Sequence, residues 1–534
     1  MDKTLPSPTA EQIAILDAVR TGEDTAAEAL AGTGKTTTFR LMAADDLSKT
    51  VAYLCYNRSI AKEASAVFPS NTQCKTTHSL AFGTHGKMYG RRLNGPRQTS
   101  HDVARALALT DIVTPSLQGQ TRLSAPFLGS LVIEALRKFA SSADAEPMAH
   151  HVRTVQGLDP LNELGEPTRG PNSKHLANEL VPSLRRAWSD IRSPGGRLPF
   201  EHDYYLKMYQ LDEPRIFADR VALDEAQDTS ACVLSIVRQQ SKHAQLLYVG
   251  DQYQMIYAWR GALNAMREAD VVHRRWLTTS FRFGADIAAT ANRLLRSLGS
   301  EALLVGAGKP GIVAAINEPR AVLTRTNAGA LRAYMRLLNE GKSVAIVADV
   351  KRELIPFFEA ADKLQAGERV SHRDLAAFST WGEVVAYVET DELGSDLGLL
   401  VSLVDEFGAR NLVDLLRRAG DEDFCDVTIS TAHKSKGRQW STVQLGDDFP
   451  DPDAPTKGGG RRGLSPEEKR LLYVACTRAQ VGLDVTRVRA LASGSLSSVV
   501  ATGQGGWSDV AFVPESSFGR IAKARHDAQD GGAL

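Results

Sequence analysis

TAAEALAGTGKT, residues 25–36, is an apolar run of strand length that ends in glycines and leads into helix-forming residues. From Ala29 onward it follows the phosphate-loop pattern, with Ala29 standing at the first glycine position. Gly32 and Gly34 allow the backbone N–H groups of Ala31, Gly32, Thr33 and Gly34 to close around phosphate oxygens, and the helix that follows presents its positive end. In this reading Lys35 neutralises the β- and γ-phosphates of ATP, and the Thr36 hydroxyl coordinates Mg2+. Thr37, the next residue, is counted with them among the nucleotide-binding residues.

A phosphate-loop enzyme also needs a carboxylate at the end of a neighbouring strand, and VALDEAQD (221–228) supplies one. Asp224 is placed to hold the metal, and Glu225, the next residue, to polarise an attacking water. The interval from Lys35 to Asp224 is too long for an uninterrupted sheet, so something is inserted between them. Further strand-length runs recur at VAYLCYN, QLLYVGDQ, AVLTRTN, VTISTAHKSKG and TVQLGDDF, several followed by helix-like segments. Buried strands alternating with helices predict parallel α/β sheets covered on both faces. The runs fall into two sets, which predicts two α/β lobes, each with a mostly helical insertion.

With 534 residues, 43% hydrophobic and 24% charged, the chain has material for three or four domains and lacks the composition of a disordered protein. Lys plus Arg and Asp plus Glu each total 63, so the formal charge is zero. That balance is a sum of patches. Residues 81–200 hold 15 basic against 10 acidic side chains, and residues 341–430 hold 9 against 18. The five cysteines are scattered without a C-x-x-C pair, so neither a disulfide framework nor a zinc or iron–sulfur site is indicated, and a reducing cytosol fits best. No apolar leader and no membrane-length apolar stretch is present, so the expected setting is cytoplasmic, and nucleoid-associated in a bacterial source.

Beyond the two nucleotide motifs, LLYVGDQYQMIYAWRGA (246–262) and LTTSFR (277–282) resemble the third and fourth motifs of the UvrD/Rep family of superfamily-one helicases. ISTAHKSKG (429–437) and EEKRLLYVACTRA (467–479) resemble its fifth and sixth, and Gln12 in PTAEQ matches its adenine-reading glutamine. The wording AGTGKTTT and YNRSIAKEA is most similar to the F-box DNA helicase branch, although no F-box is read in this chain. The resemblance implies two RecA-like lobes. It assigns residues 1–80 and 205–283 to the first and 284–344 and 427–500 to the second. The insertions are 81–204, mildly basic, and 345–426, small and acidic, with a tail at 501–534.

The resemblance also assigns roles. Gln12 reads the adenine edge, Phe281 stacks on its face where relatives place Tyr, Gln254 senses the γ-phosphate, and Arg282 and Arg478 reach it from the two lobes. Gln439 stands where the family has a ribose-holding Glu. Thr37 replaces an Arg common after the phosphate loop. Single-stranded DNA and junctions of single- with double-stranded DNA are the implied partners. Tyr56, Asn57, His78, Ser79, Trp259, Arg260, Arg325 and Asn327 would contact the strand through base stacking and backbone contacts. Tyr56 also reads as a core or interface tyrosine, and His433 and Thr431 either touch the strand or link the two sites. A protein partner is expected at the acidic insertion or the tail, and no membrane partner.

The resemblance implies an ATP-dependent single-strand translocase and 3′–5′ DNA helicase serving repair, recombination or replication. Two alternatives stand beside it. One is a DNA-stimulated ATPase that strips proteins from DNA, and the other is the sensor or motor subunit of a phage-defence complex with a separate nuclease.

Overall fold

The computed structural model describes residues 6–55, 57–95, 98–117, 119–155, 157–160, 168–257, 262–370, 372, 374, 375, 378, 380–390, 396–454 and 463–492. Of the expected strand-binding residues, Tyr56, Trp259 and Arg260 lie outside the described residues, as does the tail from 501 onward.

Two six-stranded sheets organise the chain, and every strand pair in both is parallel. The first is built from β1 (Thr25–Ala29), β2 (Val51–Cys55), β3 (Thr72–Thr76), β4 (Arg220–Leu223), β5 (Gln245–Gly250) and β6 (His273–Leu277). Their spatial order is β6-β1-β5-β4-β2-β3. The second contains β7 (Ile312–Val313), β8 (Ala321–Thr324), β9 (Val344–Ile346), β10 (Val427–Thr431), β11 (Trp440–Leu445) and β12 (Ala479–Asp484), in the order β7-β12-β11-β8-β10-β9. β1, β2, β4 and β5 are buried at every position. This is what continuous apolar runs produce when helices cover both faces of a sheet.

One core joins Ala26, Leu54, Val221 and Leu223 of the first sheet to the helices Ala125–Ser141, Pro171–Arg192 and His202–Leu211 that follow β3 in the chain. That stretch also holds an antiparallel hairpin, Ile112–Ser116 with Gly119–Leu123, which the apolar pattern does not announce. The other face of the sheet packs on α1 (Ala10–Arg20) and α2 (Lys35–Asp45) through Ile15, Val19, Phe39 and Met42. In the second half, Val322, Val344 and Ile429 share a core with the helices Ala348–Gln365 and Ala409–Arg417. The acidic segment therefore turns an apolar face to the sheet.

A further core crosses between the sheets, bringing Leu30, Ala31, Tyr253 and Ile256 against Leu472, Tyr473, Val474 and Ala475. The halves are thus in apolar contact beside the phosphate loop. Among the described residues no helix is long and apolar enough to cross a membrane.

Candidate active site

In parallel sheets, ligands gather beyond the carboxyl ends of the strands, and the candidate residues lie there. Lys35 follows β1, Asp224 and Glu225 follow β4, Gln254 follows β5, Arg282 follows β6, and Arg478 closes the helix Pro466–Cys476 immediately before β12.

Gly32 and Gly34 both adopt positive φ, at 77° and 81°. Gly34 is the left-handed N-cap residue of α2, where a side chain would be strained. At Gly32 an added Cβ would fall 2.4 Å from Ser280 Oγ and 2.8 Å from Arg282 Cβ, so the close approach of the segment after β6 requires glycine. Phe281 N–H also donates to Gly32 O at 2.9 Å. Lys35 Nζ reaches Glu225 Oε1 at 3.0 Å, and the Thr36 hydroxyl group belongs to an exposed residue in the first turn of α2. Left-handed glycines at a helix N-terminus, a lysine on the Glu225 carboxylate and a nearby hydroxyl form a donor set that fits a magnesium-bound nucleoside triphosphate.

Asp224 accepts from Tyr53 Oη at 2.5 Å and from the Glu225 N–H at 2.9 Å, which fixes both carboxylate oxygens. Burial, then the neighbouring Glu225, push its carboxyl group above the ordinary range. Glu225 sits in left-handed backbone, φ 50°, and Gln227 donates to its Oε2. Although burial alone would raise it, Lys35 and Lys436 hold Glu225 well below the usual carboxylate range. It therefore remains an anion facing two cations.

The second half of the chain contributes directly. Lys436, in the turn after β10, pairs with Asp228 and lies 3.4 Å from Glu225 Oε2 and 3.1 Å from Gln254 O. Tyr473 Oη accepts the Ala31 N–H at 3.0 Å and donates to Asp251 Oδ2 at 3.1 Å. Gln254 Nε2 donates to the same Asp251 oxygen at 2.6 Å, and its Oε1 accepts from Arg478 Nη2 at 3.2 Å. Arg282 donates through Nε to Gln439 Oε1 and through Nη1 to Thr477 O, both at 2.9 Å. Lys35, Glu225, Gln254, Arg282, Gln439 and Arg478 thus line one polar cleft.

Gln12 is buried, with Nε2 on Thr38 Oγ1 at 3.1 Å and Oε1 accepting the Thr9 N–H at 3.0 Å as part of a capping box. Phe281, by contrast, is 52% exposed beside the phosphate loop.

The remaining expected strand-binding residues have local partners. Asn57 caps the helix Arg58–Ser65, and Ser79 Oγ accepts the Thr76 N–H in a capping box. His78 Nε2 is 2.9 Å from Asp203 Oδ1. Arg325 pairs with Glu468 at 2.8 Å, while its backbone and that of Thr326 are held by Asp448. Asn327 Nδ2 donates to Glu353 at 3.0 Å, and His433 O accepts from Tyr257 Oη at 3.0 Å. The side chains of Asn57, Ser79, His78, Arg325 and Asn327 are thus engaged within the chain, and His433 meets Tyr257 through its carbonyl.

Sequence reading passed over Tyr53, Asp251, Lys436 and Tyr473. A signal existed for Tyr53, because a tyrosine in a fully buried strand needs a partner for its hydroxyl, and here the partner is Asp224.

The sheets, the phosphate loop and the paired carboxylates define a two-lobed phosphate-loop protein. Residues 216–269 match the UvrD/REP helicase N-terminal domain, and residues 338–489 match the UvrD-like helicase C-terminal domain. Each half of the chain thus contains a stretch similar to a UvrD-like helicase domain. It is 29% identical over 531 residues to F-box DNA helicase protein 1 of Schizosaccharomyces pombe, a match that covers 91% of this chain and 58% of that protein. It is 27% identical over 483 residues to F-box DNA helicase 1 of Gallus gallus, covering 85% and 46%. The chain spans about half the length of the curated relatives it matches.

Proposed function

We propose that the chain is an ATP-driven translocase on single-stranded DNA and a 3′–5′ DNA helicase. The observation that carries this reading is the cleft itself. Glu225 of one half, paired with Lys35, also meets Lys436 of the other, and Gln254 is hydrogen-bonded to Arg478 across it. Magnesium, held by Thr36 and Asp224, would supply charge neutralisation at the phosphates. Glu225 takes the proton of the attacking water, and Lys35, Arg282 and Arg478 stabilise charge on the transferring phosphoryl group. Because the arginines come from both halves, nucleotide state and lobe closure are one variable, and alternating closure can move a bound strand.

The test is strand separation from duplexes with single-stranded tails. A 3′-tailed duplex is expected to open with ATP at least about tenfold faster than a 5′-tailed one, which corresponds to about 1.4 kcal/mol in the barrier. Equal opening would remove the polarity. Single-strand-stimulated ATPase without any strand separation would favour protein stripping or sensing.

A second expectation concerns Tyr53. Its hydroxyl holds one oxygen of Asp224 at 2.5 Å from a strand packed on Phe39 and Phe68. Tyr53→Phe keeps the ring packing and removes a hydrogen bond to a carboxylate. It is expected to lower kcat for ATP hydrolysis by about tenfold, on the order of 1.5 kcal/mol. Its melting temperature should stay within a few degrees of wild type, roughly the shift of 1 kcal/mol or less. An unchanged kcat would assign Tyr53 to packing alone.

A further inference from the structure

The segment Ser142–Val152 follows the helix Ala125–Ser141 in the insertion, outside the nucleotide cleft, and three potential metal ligands converge there. Asp144 Oδ2 lies 2.9 Å from His150 Nε2 and 3.0 Å from His151 Nε2, and the three ligand atoms fall within 4.8 Å of one another. The two imidazoles stack with centroids 4.1 Å apart, so both ring edges point at one carboxylate oxygen. In a tetrahedral site with bonds of ~2.1 Å, ligand atoms stand about 3.4 Å apart. The two Asp144–His spacings, 2.9 and 3.0 Å, reach that value with shifts of about half an ångström.

The scaffold behind these atoms is tied down. Arg169 donates to the carbonyls of Ala149, His150 and Val152 at 2.6, 3.3 and 3.0 Å. Lys207, itself buried, donates to the carbonyls of Ser142 and Asp144 at 3.0 and 2.5 Å and to Gln210 Oε1 at 2.8 Å. Two cationic side chains thus fix the backbone on either side of the cluster from behind, leaving the imidazole and carboxylate atoms to face one another. Such pre-setting lowers the ordering cost of binding an ion.

His151 is 3% exposed, and the role of its Nδ1 depends on which ring nitrogen carries the proton. Its Nδ1 accepts the Met148 N–H at 2.9 Å and lies 3.2 Å from Met148 O. Metal binding at Nε2 uses the other tautomer, in which Nδ1 gives up the hydrogen bond from the Met148 N–H and donates to the Met148 carbonyl, leaving Nε2 with a lone pair. His150 and Asp144 have side chains 52% and 37% exposed, which gives an ion a path in and leaves room for water as the remaining ligand.

We propose that Asp144, His150 and His151 form a binding site for a divalent first-row transition ion of the zinc type. Two imidazoles and one carboxylate suit such an ion better than magnesium or calcium, which prefer all-oxygen shells. Bound metal would clamp the 142–152 segment against Lys207. Lys207 sits on the same helix, His202–Leu211, as Asp203, the partner of His78. The ion would therefore stiffen the support of a residue expected to contact DNA.

The test is a Zn2+ titration of the full chain after chelator treatment, read by competition with a fluorescent chelator. Wild type is compared with His150→Ala and Asp144→Asn, whose metal-free melting temperatures serve as fold controls. Wild type is expected to bind one equivalent more than either variant, or to bind it at least about tenfold more tightly. Zn2+ should also raise the melting temperature of wild type and not of the variants. A Co2+ titration should give visible absorption bands that His150→Ala removes. Equal stoichiometry and affinity in all three proteins would overturn the proposal, as would no wild-type binding tighter than about 100 μM. The His–Asp contacts would then be hydrogen bonds only.

Discussion

Glu225→Gln should reduce single-strand-stimulated ATP hydrolysis by about 10²–10⁴-fold, the range expected when a general base is removed. The substitution keeps the side-chain shape and the acceptor oxygen facing Lys35 at 3.0 Å, but it abolishes basicity. Glu225 is held as an anion by Lys35 and Lys436 and by the hydrogen bond from Gln227. Its backbone is locked in the left-handed region directly after β4, so the carboxylate is aimed by the fold and not by a flexible loop. ATP affinity should change little, because the phosphate loop and Lys35 are intact. Steady-state hydrolysis together with equilibrium binding of a fluorescent nucleotide separates the two. A variant that hydrolyses at the wild-type rate would show that water is activated elsewhere.

Arg478→Ala should cost about 10³-fold in kcat, comparable to loss of an arginine finger. The guanidinium is 2% exposed, and among the described residues its hydrogen bonds go to neutral oxygens, those of Gln254, Val474, Thr477 and Arg438. Burial, and then the nearby Arg282, push its pKa down to about 9. A buried cation whose hydrogen bonds all end on neutral groups gains most from an incoming anion, and the γ-phosphate is the anion this cleft suits. Arg478→Lys should not rescue, since a single ammonium cannot reproduce the planar fork that serves Val474 and Gln254 together. KM for ATP should move far less than kcat, because the arginine belongs to the half that does not carry the phosphate loop. A loss confined to KM would make Arg478 a binding residue only.

Much of this site was legible in the chain because its residues lie at the ends of apolar runs. β1, β2, β4 and β5 are inner strands buried at every position and mostly apolar, with Thr25, Glu28, Arg220 and Gln245 as their buried polar members, and the motif residues follow them. Edge strands were harder to read. TQCKT at β3 alternates between covered and exposed positions, and HRRWL at β6 carries two arginines, so neither forms an apolar run. The hairpin at 112–123 was missed for a related reason, since it is short and largely solvent-facing. In the site, reading by motif found residues whose chemistry is explicit and passed over those acting through a hydroxyl or from the opposite half, such as Tyr53 and Tyr473. Counting cysteines to look for metals likewise could not reveal a cluster made of two histidines and an aspartate.

The missing Cβ at Gly32 has a mechanical meaning. Ser280, Phe281 and Arg282 press against that glycine so closely that phosphate loop and arginine segment behave as one rigid part. Arg282 in turn grips Gln439 and Thr477 of the opposite half. A displacement of the loop would therefore meet little slack before reaching the residues that Arg282 contacts in the far lobe. The contact works like a push-rod seated without clearance, and adding a single methyl group at position 32 would jam it.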